Sequence, residues 1–195
     1  MSSSDSSFVD PPWGAPLDAE RVLADIPAKA TIAGMFFLAL AEGAERRQVT
    51  LDLPRARYLP FGFYPVREFA PLLVKAAGLF NPHSSLREGL RRIGRAGPGA
   101  FLGSTLGRVT LGASEGVHAT VTAIAKTYGI NTRPSRCAVL EAAERRMVLS
   151  LDDVVYFLDS HHVGVFEGTL EHAGVAGRVR IHSRSQTSAD LLLEW

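Results

Sequence analysis

A chain of 195 residues, 46% hydrophobic and 21% charged, is long enough to bury a substantial core and too apolar to remain disordered. Its formal charge of +1 supplies no bulk attraction to nucleic acid. The lone cysteine, Cys137, rules out an internal disulfide and a zinc cluster built from thiolates, and it suits a cytoplasmic setting.

In chain order, Met1 to Pro16 is serine-rich and broken by Pro11, Pro12 and Pro16, without the basic head or apolar core of a signal peptide. It reads as a flexible tail (1–16) ahead of a single α+β domain (17–195). Arg21 to Ile26 reads as a short extended segment. Thr31 is placed to cap a helix carrying Ile32, Met35, Phe36, Leu38 and Leu40, with Gly43 as its stop. The apolar run Ala28 to Ala41 is too short to span a bilayer. Gln48 to Leu53 alternates weakly, and Tyr58, Phe61, Phe63 and Tyr64 then sit among three prolines. That aromatic segment is expected to wrap the core; left uncovered, it would be an interface.

Pro65 suits the first turn of a helix over Val66 to Ala77, whose Phe69, Leu72, Leu73 and Ala76 share one face. Ser85 and Glu88 have capping-box spacing, which turns Leu86, Leu90 and Ile93 inward and Arg87, Arg91, Arg92 and Arg95 toward water. Gly97, Pro98 and Gly99 interrupt that pattern before Phe101 to Val109 resumes it. Ser114 is placed to cap a further helix through Lys126, with Val117, Val121 and Ile124 inward and His118 beside them.

The period then changes. Arg136 to Ala142 and Arg146 to Leu151 read as a hairpin, His162 to Ala173 as a helix ended by Gly174, and Arg178 to His182 and Ala189 to Trp195 as two more strands. The expected fold is α+β: an N-terminal helical layer packed on a C-terminal antiparallel sheet in strand-strand-helix-strand-strand order.

Four stretches carry a resemblance: Gly34-Met35-Phe36-Phe37, Phe61 to Phe69, Leu90 to Arg95 followed by Phe101 to Gly107, and Gly164-Val165-Phe166-Glu167-Gly168. In this order they resemble the myxobacterial paralogous family of unknown function called DUF2378. That family in turn looks like the superfamily of haem-nitric-oxide sensors, four-vinyl-reductase domains and TRAPP-type tethering subunits. The resemblance implies a scaffold used by ligand sensors and dimerising proteins, and it supplies no function by itself. The sensors' Tyr-x-Ser-x-Arg pattern does not occur here. Their proximal histidine has one positional counterpart, His118, which reads more simply as a structural or surface residue.

The chemical patterns are sparse. Gly112-Ala113-Ser114-Glu115-Gly116 fits a nucleophile elbow, with Asp152 or Asp153 and His172 or His182 as partners, but no strand-helix alternation supplies the parallel sheet that motif needs. Ser114 is better explained as a helix cap. His161, His162 and His172 near Asp152, Asp153 and Asp159 lack a metal-ligand spacing, and Cys137 reads as a small apolar residue on a buried strand. No catalytic residue, metal or cofactor is expected. Arg87, Arg91, Arg92 and Arg95 read as a solvated helix face or, functionally, as a surface for an acidic protein partner. The leading reading is a non-enzymatic adaptor or assembly protein, with a homodimer as one form and nucleic acid disfavoured. The alternative is a sensor holding a small apolar ligand between helical layer and sheet, near Phe36, Phe69 or Phe101.

Overall fold

A computed structural model describes residues 5–103 and 116–195. Ser114, the centre of the elbow pattern, and most of the Phe101 to Val109 run lie outside the described residues. Helix α1 (Ala19–Ala24) stands where an extended segment was expected, because the Asp18 carboxylate accepts the Arg21 amide at 3.0 Å and starts a helical turn. Thr31 opens strand β1 (Thr31–Ala33) rather than capping, and helix α2 (Met35–Arg46) follows it. Gly43 does not stop α2. A Cβ there would meet the Phe80 ring at 3.2 Å, so the glycine serves packing within a continuous helix.

Strand β2 (Phe63–Pro65) leads directly into helix α3 (Val66–Phe80), where Phe69, Leu72, Leu73 and Ala76 are buried as their spacing predicts. Helix α4 (Leu86–Gly103) runs through Gly97-Pro98-Gly99 without ending, its last turns held by Phe101 and Leu102 against the second core. Helix α5 (Val117–Asn131) buries Val121 and Ile124 and passes into β3 (Thr132–Arg133).

Strands β4 (Arg136–Ala143) and β5 (Arg146–Asp152) form the expected hairpin. A five-residue π-turn over Leu158–His162 precedes helix α6 (Val163–His172), and β6 (Arg178–Ser183) and β7 (Ala189–Glu194) complete the unit. The antiparallel sheet has the order β4-β5-β7-β6. Strand β4 is therefore an edge, mostly exposed and bulged between Val139 and Glu141, and not the buried strand expected around Cys137. A second sheet, β2-β1-β3, joins three short strands from distant parts of the chain.

Two cores result. One gathers α1, α2 and α3 with Leu90 and the Val155-Tyr156-Phe157 segment; the other lies between the inner face of β5, β6 and β7 and helices α5 and α6. Val154 and Leu158 belong to the second core, so residues 154–158 stitch the two together. Residues 5–16, expected as a free tail, lie along this body: Val9 bridges Ile181, Asp10 pairs with Arg178, and the Arg91 guanidinium stands 4.5 Å over Trp13. Among the described residues no helix is long and apolar enough to cross a membrane.

Candidate functional site

Helices α4 and α6 run side by side with their backbones in contact. A Cβ on Gly164 would stand 2.9 Å from the Arg91 carbonyl carbon, one on Gly168 2.7 Å from that of Arg95, and one on Gly94 3.0 Å from that of His161. Only glycine fits at these three positions, and the approach brings α4's arginines within reach of α6's acids. Arg91 makes a bidentate pair with Glu167 at 2.7 and 3.0 Å, Arg95 pairs with Glu171, and Arg87 with Asp159. Arg92 bonds Glu88 at 2.9 Å along its own helix.

The arginine row thus does not lie open to water as its periodicity suggested. Arg91 and Glu167 expose 19% and 13% of their side chains, and Arg87 is similarly covered; Arg92 and Arg95 are half-exposed. The Glu171 carboxyl is held below its usual range by the Arg95 guanidinium, while the same contact raises Arg95. Each arginine proposed for an acidic partner already has an acid of its own chain.

At the head of α6 the backbone is unusual. Phe157 is buried with φ 42° and ψ 44°, a left-handed conformation costly for a bulky side chain, and the π-turn begins at the next residue. This turn buries His162 and half-buries His161, whose ring nitrogen Nδ1 is enclosed. Tyr128 Oη and His162 Nδ1 share a hydrogen bond of 3.0 Å, and the Tyr156 ring lies 4.8 Å from that of His162. Nδ1 of His161 and Nε2 of His162 are buried without a partner. Burial pushes the His161 imidazole down to about 4, against an opposing contribution from the Leu90 carbonyl, and drives His162 well below its ordinary value. Burial likewise raises Tyr156, and it pushes the Cys137 thiol up to about 12, leaving it protonated and inert.

Beside this cluster a cleft of about 370 Å³ opens between the helical layer and the sheet. Leu17, Asp18, Arg21, Val22 and Asp25, in α1 and at its ends, line one side, and Val155, Tyr156, Phe157 and Leu158 another. The β6–β7 turn supplies Ser183, Ser185, Gln186 and Thr187, and the Arg87–Asp159 pair closes one end. Arg87 also donates to the Ala15 carbonyl at 3.1 Å, which fixes the incoming N-terminal segment against the opening.

The aromatic residues singled out from sequence fall elsewhere. Phe36 and Phe69 pack edge to face 6.3 Å apart in the first core, while Phe101 packs against the second, so the three do not surround one space. The Nε2–H of His118 donates to the Ala143 carbonyl at 2.7 Å, and its ring lies against Trp195. His161 and His162 meet each other but neither His172 nor the nearby aspartates, and no trio of metal-ligating side chains gathers among the described residues. The cleft residues gave no sequence signal because four separate segments form them. The helix seam did leave one: Gly164 and Gly168 repeat at the same four-residue spacing as Glu167 and Glu171, and as Arg91 and Arg95.

Several solved structures share this fold. An unliganded Fe(II) H-NOX protein from K. algicida is 14% identical, with 84% of this chain and 96% of that one covered and a TM-score of 0.59. An H-NOX protein from S. oneidensis in its Fe(II)NO ligation state is 12% identical, with 84% and 98% covered and a TM-score of 0.58. A structure used to probe haem distortion in the H-NOX family is 12% identical, with 84% and 95% covered and a TM-score of 0.64. No curated protein matches the sequence. The family pattern runs from residue 26 to residue 195, through both cores and the α4–α6 seam, and the chain belongs to DUF2378, a family of proteins of unknown function.

Proposed function

We propose that this chain is a small-molecule sensor whose ligand occupies the cleft between α1, the 155–159 segment and the β6–β7 turn. The observation that carries this reading is the cleft itself: about 370 Å³, with apolar side chains of the 155–158 segment, Leu17 and Val22 set among the charged Asp18, Arg21 and Asp25 of the α1 side and the hydroxyl and amide side chains of the β6–β7 turn. The left-handed Phe157 and the π-turn beside it support the same reading, since such backbone persists where the surroundings hold it and gathers at binding sites. Its chemistry suits a ligand with an apolar body and an uncharged polar head, because the charges that line it are answered within it: Arg87 by Asp159, Arg21 by Asp25, and the Asp18 carboxylate by the Arg21 amide.

The H-NOX proteins of similar fold are Fe(II) proteins, one of them in an Fe(II)NO ligation state. A haem does not fit the residues here. His118 spends its Nε2–H on the Ala143 carbonyl, packs on Trp195, and lines neither this cleft nor the smaller one between Arg91 and Glu171. Of the two surfaces that an adaptor could use, the arginine row is occupied by the chain's own acids, which favours the ligand reading.

Nile red, a neutral apolar dye that brightens in dry surroundings, tests the proposal. The full chain is expected to raise its emission, and Gln186→Trp, at an exposed position lining the cleft, to abolish the rise without altering the thermal melt. Equal uptake by both proteins would refute the assignment.

A further inference from the structure

Outside the cleft lining, the turn between α2 and β2 displays apolar side chains that the fold prevents from collapsing inward. Leu59, Phe61 and Phe63 are 55%, 64% and 39% exposed. Tyr58 and Tyr64, their neighbours, are instead packed on Phe37 and anchor the segment from below. The backbone is fixed at every step: Gly62 N donates to Leu59 O at 3.0 Å, Gly34 N to Gly62 O at 2.8 Å, and Met35 N to Pro60 O at 3.0 Å. The Tyr64 hydroxyl accepts the Leu59 amide at 2.9 Å. Gly34 allows this approach, since a Cβ there would stand 3.1 Å from the Leu59 carbonyl carbon and closer still to its oxygen. The turn is therefore a rigid mount for three outward apolar groups.

Its surroundings are basic, although the whole chain carries only +1. Residues 54–67 contain Arg55, Arg57 and Arg67 and no Asp or Glu; residues 126–136, which reach the same small sheet through β3, contain Lys126, Arg133 and Arg136 and again no acid. Lys29 precedes β1 between them. Arg55 is answered by Glu68 and Arg136 by Asp153. Among the described residues Lys29, Arg57, Lys126 and Arg133 have no carboxylate within ion-pair distance, and Arg133 lies 4.2 Å over the Phe63 ring. The register Thr31↔Arg133 and Thr31↔Pro65 puts β2 and β3 on either side of β1, so this charge surrounds the base of the apolar turn.

We propose that the Leu59–Phe63 turn is a membrane-docking tip, inserting its apolar side chains into the interface of a bilayer that carries anionic lipids. A small apolar turn ringed by cations matches that surface in both respects: the side chains enter the acyl boundary and the arginines meet headgroup phosphates. A stable protein interface needs roughly 800 Å² per partner, more than a five-residue turn presents. A second copy docked by two-fold symmetry would set unanswered arginines of both chains against each other. Binding through one such tip is weak and reversible.

The test is sedimentation of the full chain with vesicles of phosphatidylcholine, alone or mixed with phosphatidylglycerol. Partitioning is expected only onto the mixed vesicles and is reversed by high salt. Phe61→Ser weakens it about tenfold, and Arg57→Ser and Arg133→Ser about fivefold each. Leu79→Ser, an exposed leucine on α3, leaves it unchanged. All four substitutions are at exposed or solvent-side positions and preserve the melting curve, which identifies any that misfolds. Phe61→Trp adds an emission that brominated acyl chains quench, which separates insertion from adsorption. Absence of partitioning onto the mixed vesicles, unchanged partitioning by Phe61→Ser, or an unquenched Phe61→Trp would overturn the proposal. A concentration-dependent dimer lost on Phe61→Ser without vesicle binding would assign the turn to a second copy instead.

Discussion

Gly168→Ala separates backbone contact from helix propensity. In an isolated helix this change is stabilising, because alanine is favoured over glycine by about 1 kcal/mol. At Gly168, however, the new methyl would stand 2.7 Å from the Arg95 carbonyl carbon, where ordinary contact is about 3.5 to 4 Å. The atom it meets is helix backbone, held by Arg95–Glu171 on one side and Gly94 on the other, so relief requires α4 and α6 to separate by about 1 Å along the seam. Overpacking of this kind costs about 1–3 kcal/mol, and separation also lengthens the Arg91–Glu167 pair. Against the propensity gain of about 1 kcal/mol this leaves a net destabilisation of up to about 2 kcal/mol, read as a urea midpoint lowered by up to about 1 M at an ordinary denaturant slope. Gly99→Ala, on the same α4 and past Pro98, with nothing within 4 Å of the added carbon beyond its own helix, is the matched control and should raise the midpoint. If Gly168→Ala also raises it, the backbone-contact account of the seam is wrong.

Arg91→Met should cost roughly 2 kcal/mol because it strands the largely covered Glu167, and Arg91→Met combined with Glu167→Leu should recover most of that loss in the same urea titration. The buried histidines set an acid limit. His161 is depressed to about 4 in the fold while the unfolded chain titrates near its ordinary value of 6.5, so the unfolded state binds the extra proton and stability falls as pH drops through that window. The slope is about 1.4 kcal/mol per pH unit for each such histidine, and His161→Phe should flatten urea midpoints measured between pH 6.5 and pH 5; an unchanged slope would place the proton elsewhere.

What the sequence showed depended on how local the determining interactions are. The β4-β5-α6-β6-β7 unit was legible because periods of two and of nearly four alternate there, with Gly174 marking the helix end at φ 79°. Helix α3 was legible for the same reason. Strand β1 was not, since its three residues become a strand only by pairing with β2 and, about a hundred residues later, with β3. For α4, periodicity identified the apolar face correctly through Leu90, but it could not show that three glycines let a second helix lie along the flank. Arg87, Arg91 and Arg95 were therefore read as solvent-facing when the contact with α6 covers or engages each of them. The cleft combines an N-terminal helix, one arginine of α4, a strained turn and a β-turn, and no single stretch carries its pattern.

Arg87 ties these parts together. Along α4 the arginines are spaced by one turn, 87, 91 and 95, whereas their acids fall at 159, 167 and 171, with an extra turn between the first two. Asp159 lies in the π-turn that follows the left-handed Phe157, ahead of α6, and both residues line the cleft. Through one guanidinium, Asp159 at the cleft's end is joined to α4 and to the Ala15 carbonyl of the N-terminal segment. A ligand alters a conformational balance only through contacts that differ between states. On the proposed site those contacts fall on Phe157, Leu158 and Asp159, so any shift of the turn would act first on Arg87, and through it on both the α4–α6 seam and the strap that crosses it.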